Sequence, residues 1–481
     1  MLELGYPTLF TVSPEFLPMA TMKTRSSSRT YTATGKILAL ALAILATTLG
    51  SSAEDKSCGP PHYCARTDRR SEPYSKTVPA MGPAGSILTD PTFGSRIVRV
   101  TDAKTRAGES FSTPSSAAQN AWNSTSTSFF LLTRNLQIIL YDFNPSNLAP
   151  HERGVARIPS GGEPEFSFTR PNILFATDRP ADAFAEYDIS TGRFTDLHSI
   201  SKCAKLKASD HVHGISVSAD DTRMTTSVGP QQDQNYLIYV YDRKQGCRWY
   251  NTQTSEIGGE WGPKGTVATS ERYFLHGVGI SKSGRYVSIS RTHGSPGHRW
   301  MIWDVETMNV TLCPKMCSGH HVMGYSHLIG PSGNNHPMDT LIRPLNHLEQ
   351  YSALIPDLQE VKTKGYWYDQ HFSWNNVDSS DSAPVCFSTY RPSNPRTPGT
   401  PPDVDGPWEN EIDCMATDGR EPKVFRFAHT YSTAKNGFWS TPRGNVSRDG
   451  RFYIFTSDWE DQLGEADKGG YRTDVFIVEL R

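Results

Sequence analysis

An aromatic residue followed by aspartate, placed at the end of an apolar segment, recurs along this chain and constrains its fold more than any other feature. Successive pairs are separated by 46, 54 and 62 residues, a period typical of a repeated supersecondary unit. The four pairs are Tyr141-Asp142, Tyr187-Asp188, Tyr241-Asp242 and Trp303-Asp304. Because a polar turn follows three of them, each pair is typical of the first arm of a β-hairpin. The pattern predicts an all-β fold made of repeated antiparallel units.

A second recurring segment lies upstream of these pairs, where an alternating strand ends in a tight turn and a second strand follows. Three examples align with one another: residues 213–221, 276–284 and 444–450. Their turn, in which serine precedes aspartate or glycine and then arginine, resembles the repeat of TolB-type and WD-repeat-like propellers. The resemblance covers residues 87–481 and implies a propeller, in which each repeat forms one blade.

Counting strand sets predicts seven units. They begin near Ala118, Glu163, His211, Leu275, His320, Asp369 and Trp439. The last unit ends at its third strand, 473–480, and the missing strand is available at 95–101. Pairing the two ends removes two exposed strand edges and closes the ring. The predicted fold class is therefore all-β, a seven-bladed β-propeller with an N-terminal strand closing the last blade; an open array of β-sandwich sheets is the alternative.

The N-terminal region has the features of an export signal. A basic stretch precedes an apolar run at 37–46, and small residues at 51–53 suit signal peptidase. The predicted regions are a signal peptide with an upstream extension at 1–53, a disulfide-containing extension at 54–86 and the propeller at 87–481. We therefore predict a secreted or periplasmic protein with no membrane contact beyond the signal segment, and a retained N-terminal anchor is the alternative.

The eight cysteines suit disulfide bonds in an oxidising compartment. Proximity along the chain predicts the couples Cys58/Cys64, Cys203/Cys247, Cys313/Cys317 and Cys386/Cys414. A metal or haem site at 313–317 is the alternative for one couple. The formal net charge is −2 and basic residues are scattered, so the sequence predicts no nucleic-acid partner.

Candidate functional residues follow from propeller geometry, because each innermost strand begins on the face where the second strand of its blade ends. Histidines fall at or near four inner-strand starts, at His213, His276, His321 and His371. Arginines fall at three second-strand ends, at Arg291, Arg343 and Arg391; Tyr390, Gln370 and Arg443 adjoin this set. Guanidinium groups bind carboxylates and sulfates through a planar fork, so the pattern predicts a pocket for an anionic ligand. Arg343 and Arg391 are expected to be exposed.

Each of these residues also has a purely structural interpretation. A histidine at the start of an inner strand is equally suited to hydrogen-bond a carbonyl of a neighbouring blade. Arg343 and Arg391 each precede a proline, as ordinary turn residues do. His211 and His213 share one strand face, which suits either a metal pair or two edge residues. Trp122, Trp374 and Trp439 suit either stacking on sugar rings or packing in the core.

A secreted seven-bladed propeller with His, Arg and Tyr on one rim resembles oligogalacturonate lyases and related propeller polysaccharide lyases. The resemblance implies β-elimination in an acidic, uronate-containing oligosaccharide. It implies that Arg291, Arg343 and Arg391 neutralise the carboxylate and that His213 or Tyr390 is the base. It further implies that His276, His321 and His371 bind a divalent metal ion, manganese or calcium. The alternative is a non-catalytic extracytoplasmic propeller that binds a glycan, a peptide or a protein partner.

Overall fold

The structure is a computed structural model, and its described residues belong to one compact unit that contains the propeller. They are residues 58–72, 78–158, 164–178, 182–267, 271–292, 300–314, 317, 319–331, 340–355, 369–390, 406–419, 422–434, 437–466 and 471–481. The predicted signal segment lies outside these residues. Within the described ranges, no helix has the length and apolar character needed to cross a membrane.

The described strands form seven antiparallel sheets arranged as a seven-bladed β-propeller, which confirms the predicted fold class. The first two strands of the chain, which belong to blade 7, are β1 (Ile87–Thr89) and β2 (Arg96–Arg99). Blade 1 contains β3 (Phe111–Ser112), β4 (Ser128–Thr133), β5 (Ile138–Asn144) and β6 (Ala149–Val155). Blade 2 contains β7 (Glu165–Phe166), β8 (Ile173–Asp178), β9 (Ala183–Asp188) and β10 (Arg193–Ser199).

The middle blades keep the same order from the innermost strand outwards. Blade 3 contains β11 (His211–Val217), β12 (Arg223–Gly229), β13 (Leu237–Asp242), β14 (Gly246–Asn251), β15 (Glu256–Gly259) and β16 (Gly265–Thr266). Blade 4 contains β17 (Leu275–Ile280), β18 (Tyr286–Arg291), β19 (Met301–Asp304) and β20 (Val310–Leu312). Blade 5 contains β21 (Val322–Met323), β22 (His327–Pro331), β23 (Thr340–Pro344) and β24 (Ser352–Ala353).

The last two blades include the C-terminal strands. Blade 6 contains β25 (Asp369–Ser373), β26 (Val385–Tyr390), β27 (Glu411–Met415) and β28 (Val424–His429). Blade 7 contains, beside β1 and β2, the strands β29 (Gly444–Val446), β30 (Phe452–Ser457) and β31 (Asp474–Glu479). Two short 3-10 helices lie between strands, at Ile200–Lys202 and Phe438–Ser440.

Blade 7 is closed by the N-terminal strands, as predicted. Its strand order is β1-β2-β31-β30-β29, and β2 pairs antiparallel with β31. A buried carboxylate holds this junction: Asp474 accepts hydrogen bonds from Arg99 at 2.5 Å and from Thr101 at 3.1 Å. Strand β1 adds a fifth strand outside β2, which the sequence did not predict.

Apolar side chains pack between neighbouring blades and form the core. Val98, Trp122, Phe452 and Ile477 belong to one buried cluster shared by blades 7 and 1. The indole nitrogen of Trp122 donates to the carbonyl of Asn445, 3.1 Å away. Trp122 therefore packs in the core, and so does Trp374, which is also fully buried.

The segment before β1 packs on blade 6. Tyr63 contacts the rings of Phe425 and Phe427 edge-on, with ring centroids 5.2 and 5.0 Å away. The backbone amide of Arg426 donates to the carbonyl of Arg66. Cys58–Cys64 closes a loop within this segment, and the other disulfides are Cys203–Cys247, Cys313–Cys317 and Cys386–Cys414. All four predicted couples are confirmed.

Candidate functional site

The start of the inner strand of blade 6 and the end of its second strand meet, as propeller geometry predicts. Asp369 is the first residue of β25 and pairs directly with Tyr390, the last residue of β26. The Tyr390 hydroxyl donates to Asp369 Oδ2 at 2.9 Å, and His371 Nε2 lies 3.2 Å from the same hydroxyl. The His371 and Tyr390 rings are stacked, with centroids 5.4 Å apart. The three side chains form a hydrogen-bonded chain.

His320, from blade 5, completes this group. Its ring centroid lies 4.0 Å from that of His371, and its Nδ1 lies 3.4 Å from Asp369 Oδ1. Nδ1 also lies 3.1 Å from the carbonyl oxygen of Gln370. The His320 side chain is 44% exposed, whereas His371 and Tyr390 are buried. His320 is therefore the member of the group that is most open to solvent.

Burial and neighbouring charges determine which side chains of the Asp369–Tyr390–His371 hydrogen-bonded chain are protonated. Burial lowers the pKa of His371 well below its ordinary value, and the charges of His320 and Arg443 lower it further. Burial opposes ionisation of Asp369, but the hydrogen bond and charge of His320 outweigh it and lower the pKa of the carboxyl. Burial and Asp369 together raise the pKa of Tyr390. At neutral pH, Asp369 is ionised, Tyr390 is protonated and His371 is neutral.

These protonation states assign the tautomer of His371 from the hydrogen-bond network. The single hydroxyl proton of Tyr390 goes to the Asp369 carboxylate, so the Tyr390 oxygen acts as acceptor toward His371. The proton between them therefore sits on Nε2 of His371, and Nδ1 carries the basic lone pair. The Asp369 carboxylate orients the Tyr390 hydroxyl, and this hydroxyl holds the neutral imidazole of His371 in one orientation.

A buried arginine connects this group to blade 7. Arg443 is completely buried and donates to the carbonyl of Phe438 and, at 3.1 Å, to Thr441 Oγ1. Its guanidinium carbon lies 4.0 Å from the centre of the Phe438 ring and 4.9 Å from that of Trp439. Phe438 is 46% exposed and Trp439 is 41% exposed. Arg443 therefore supports an exposed aromatic pair from below.

A small cavity of about 60 Å³ continues from this aromatic pair to blade 1. Trp439, Tyr471 and Arg134 line it, with Arg134 directly after the second strand of blade 1. Arg134 is exposed, and its guanidinium has no hydrogen-bond partner among the residues that the structure describes. We use the name rim cluster for these residues at the start of the inner strands and the end of the second strands, namely Arg134, His320, Asp369, His371, Tyr390, Phe438, Trp439, Arg443 and Tyr471.

Four of the residues singled out from the sequence lie in the rim cluster. They are His371, Tyr390, Trp439 and Arg443. Gln370 lies next to it, and its amide donates to Thr340 Oγ1 at 3.2 Å, which ties blade 6 to blade 5.

The residues of blades 3 and 4 that were predicted for the site make contacts outside the rim cluster. His213 Nε2 lies 3.2 Å from the carbonyl oxygen of Gly229. His276 is exposed and its Nδ1 lies 2.6 Å from Asp233 Oδ1. Arg291 forms an ion pair with Glu271, and its guanidinium packs 4.5 Å from the centre of the Tyr273 ring. These contacts match the structural interpretation of such residues.

The expectation that Arg343 is exposed is wrong. Its relative exposure is 2%, its guanidinium donates to the carbonyl of Leu348 at 2.8 Å, and the Tyr351 ring covers it at 4.7 Å. Burial also lowers its pKa. Arg343 also lies in β23, the third strand of blade 5, and not at the end of the second strand as predicted, so the strand-end argument does not place it on the rim. Arg391 lies outside the described residues.

His320, Asp369, Phe438 and Arg134 were not predicted as site residues. A signal for Arg134 was present, because it follows the second strand of blade 1 as Arg291 ends that of blade 4. The sequence pattern indicated His321 and not its neighbour His320. That neighbour is half-buried against Trp300, with ring centroids 4.2 Å apart, and burial lowers its pKa to about 4.

The described residues do not bring together a metal site. No group of three or more His, Cys, Asp or Glu side chains within them is arranged to hold a metal ion. Of the three predicted ligands, His276 binds Asp233, His321 packs on Trp300 and His371 binds Tyr390. This donor set does not fit a divalent ion, so the chemistry below includes no step through a metal.

The fold has counterparts among solved structures. No protein-family model matches the sequence, and no curated protein matches it. An oligogalacturonate lyase in complex with manganese is similar over 86% of this chain and 99% of its own, with 11% identity and a TM-score of 0.50.

Two further structures are similar at lower scores. An oligogalacturonate lyase from Vibrio parahaemolyticus covers 82% of this chain and 96% of its own at 10% identity, with a TM-score of 0.48. The hydrazine synthase of Kuenenia stuttgartiensis covers 73% and 95% at 10% identity, with a TM-score of 0.42. At 11% identity, the likeness to the manganese-bound lyase shows the fold alone: this chain is a seven-bladed propeller of the same architecture.

Proposed function

We propose that this protein is an exported propeller that binds an acidic oligosaccharide on the rim cluster. The observation that carries the proposal is the exposed Phe438–Trp439 pair, which packs on the buried guanidinium of Arg443 and whose Trp439 lines the same cavity as the exposed Arg134. Aromatic faces bind the apolar faces of sugar rings, and a guanidinium binds a carboxylate or sulfate through paired hydrogen bonds. Stacking and charge recognition are thus available side by side.

Export is supported by the cysteines as well as by the predicted signal segment. All eight cysteines form disulfide bonds, and such bonds persist in extracytoplasmic compartments rather than in reducing ones. An exported protein would share its compartment with an acidic polysaccharide that lies outside the cytoplasm.

The binding proposal is tested by titrating the protein with oligogalacturonate in a calorimeter. We expect Arg134→Ala to weaken binding by about 1.5–3 kcal/mol, the range for a charge-assisted hydrogen bond. We expect Trp439→Ala to weaken it by about 0.5–1.5 kcal/mol through lost stacking. Both side chains are exposed, so the melting temperature should stay close to that of the unmodified protein.

Blade 4 offers matched controls, because Arg272 and Phe274 are also exposed. Arg272→Ala and Phe274→Ala are expected to leave the affinity unchanged. A neutral galacto-oligosaccharide should bind more weakly than the acidic one. Equal affinities for the Trp439 and Phe274 variants, or no binding of any acidic oligosaccharide, would refute the proposal.

A second candidate function, β-elimination in a bound uronate, is favoured by the Asp369–Tyr390–His371 chain. In this reaction a base takes the C5 proton of the uronate, and the electron pair of that C–H bond forms the C4–C5 double bond. The C4–O bond breaks, and the departing oxygen takes up a proton. His371, held neutral with an unprotonated Nδ1, can accept the C5 proton, and water supplies the proton to the departing oxygen. Tyr390 donates its hydroxyl proton to Asp369 and orients His371, a different role from the base that the family resemblance implied.

The elimination is detected by the ultraviolet absorbance of its unsaturated product. We expect His371→Ala to lower the rate by about 10²–10⁴-fold, the usual contribution of general acid–base catalysis. His276→Ala is the control, since its ring is bound to Asp233, and should leave the rate unchanged. A chelator is expected to have no effect. Binding without product formation would support a non-catalytic propeller, and a fully active His371 variant would exclude this assignment of the base.

A further inference from the structure

A second cavity lies at the other end of the inner strands, away from the rim cluster. Its volume is about 230 Å³, and it opens between blades 6 and 7. Residues after β25, including Asn375 and Asn376, form one wall, and Val446 to Gly450 form the other. Pro60 and Tyr63, from the segment before the propeller, cover one side. The cavity is therefore shaped by three separate parts of the chain.

Arg448 is the cationic residue of this cavity. It is half-buried, and burial lowers its pKa. Its guanidinium has no hydrogen-bond or ion-pair partner within the described part of the chain. The adjacent Asp449 carboxylate accepts hydrogen bonds from Ser447 at 2.6 Å and from the amide of Arg451 at 3.2 Å instead. A partly buried guanidinium without a partner costs free energy that an anion would recover.

Lys282 occupies the equivalent position in blade 4, directly after the inner strand and its serine. It is 4% exposed, and no described residue accepts a hydrogen bond from its ammonium group, which lies 4.5 Å from the centre of the Phe168 ring. Backbone hydrogen bonds to Gly324 and Ala219 fix its position. Burial lowers the pKa of Lys282, the charge of Glu165 raises it and the charge of Arg448 lowers it, so Lys282 interacts with both groups.

The carboxylates near Lys282 do not cancel this positive charge. Burial raises the pKa of Glu165 to about 7, so this group is only partly ionised at neutral pH. Asp381 is engaged by His327 at 3.0 Å and by the amide of Ser326 at 2.7 Å. Two further carboxylates, Asp378 and Asp449, line the cavity itself, and each is held by a hydrogen bond from a serine hydroxyl, Ser380 and Ser447 respectively.

We propose that this cavity is a second anion site, in which a small oxyanion binds to Arg448 and is further attracted by Lys282. A carboxylate, phosphate or sulfate group has the charge and the acceptor geometry that a guanidinium fork requires. The site is separate from the rim cluster and does not depend on the oligosaccharide function.

The test is calorimetric titration of the full mature chain with sodium sulfate, sodium phosphate and sodium galacturonate, with ionic strength held constant by chloride. We expect at least one of them to bind and Arg448→Met to weaken that binding at least tenfold. Arg451→Met is the matched control, because Arg451 is exposed on the same turn and does not line the cavity. The control should bind like the unmodified protein.

Hydrogen exchange gives a second measurement on the unmodified protein. The bound anion is expected to slow amide exchange in residues 446–450 and 280–283. Trp439→Ala, which alters the rim cluster, should leave sulfate binding intact, so the two sites can be judged independently. Unchanged affinity in Arg448→Met, no binding of all three anions, or protection confined to other segments would overturn the proposal.

Discussion

Deleting residues 87–102 is expected to abolish cooperative unfolding of the propeller. The deletion removes β1 and β2, and with them the pairing of Ile97 with Val478 that closes blade 7. It leaves β31 as an exposed edge and opens the ring between blades 7 and 1. Urea denaturation followed by circular dichroism and by tryptophan fluorescence is the measurement. A single transition with the same midpoint by both probes would contradict the closure model.

Asp474→Ala tests the same junction with one side chain. The buried Asp474 carboxylate binds Arg99 and Thr101 from the N-terminal segment, and Arg472 donates to it at 2.9 Å. Its removal leaves two buried guanidinium groups without their counter-ion, which costs about 3–5 kcal/mol. Asp142→Ala is the control, since its partly exposed pair with Arg153 contributes less than about 1 kcal/mol.

Arg426→Met is expected to destabilise the protein by about 3–5 kcal/mol, because it leaves buried carboxyl groups without their cation. Arg426 and Glu411 are both completely buried, and their two hydrogen bonds measure 2.8 and 2.6 Å. Asp413, also buried, lies close by; burial and the Glu411 charge raise its pKa. Urea denaturation of the variant at pH 7 is the measurement.

The destabilisation caused by Arg426→Met should depend on pH. Without Arg426, the folded state keeps protons on Glu411 and Asp413 to higher pH, whereas the unfolded chain loses them near their ordinary values. The folded state then binds more protons, so the stability of the variant falls as pH rises from about 5 to about 8. Arg285→Met is the control, because its exposed pair with Asp304 is worth less than about 1 kcal/mol at any pH in that window. Equal losses of stability in Arg426→Met and Arg285→Met would refute the conclusion that Arg426 compensates the buried carboxyl groups of Glu411 and Asp413.

The blade repeat was predictable because its signal is local. The aspartate of the aromatic–aspartate pair accepts hydrogen bonds from backbone amides two and three residues later. Asp242 binds the amides of Lys244 and Gln245 at 2.8 and 3.0 Å, and Asp188 binds that of Ser190 at 2.8 Å. Such a turn requires only a few adjacent residues, so the aromatic–aspartate pair recurs visibly in the sequence of blades 1 to 4. Closure of the ring was predictable from the strand count, since the last unit has three strands and a fourth must come from elsewhere in the chain.

The candidate site was predictable only in part, because strand ends can be located from sequence but contacts between blades cannot. His371 and Tyr390 lie on the paired strands β25 and β26 of one blade, and both were predicted. Arg343 was predicted at the end of a second strand, but it lies in the third strand of blade 5, and the loop that follows covers its guanidinium. Whether a charge at such a position faces solvent depends on the loops around it, which no local pattern encodes.

The sequence by itself determined the all-β class, the seven blades, the joining of the two chain ends and the four disulfide couples. Each of these follows from periodicity, strand count or proximity along the chain. Only the tertiary structure decided that the rim cluster spans blades 5, 6, 7 and 1, and that Arg443 supports Phe438 and Trp439. The physical reason is that burial and pairing of a polar side chain are set by neighbours distant in sequence, whereas a strand or turn is set by the residues beside it.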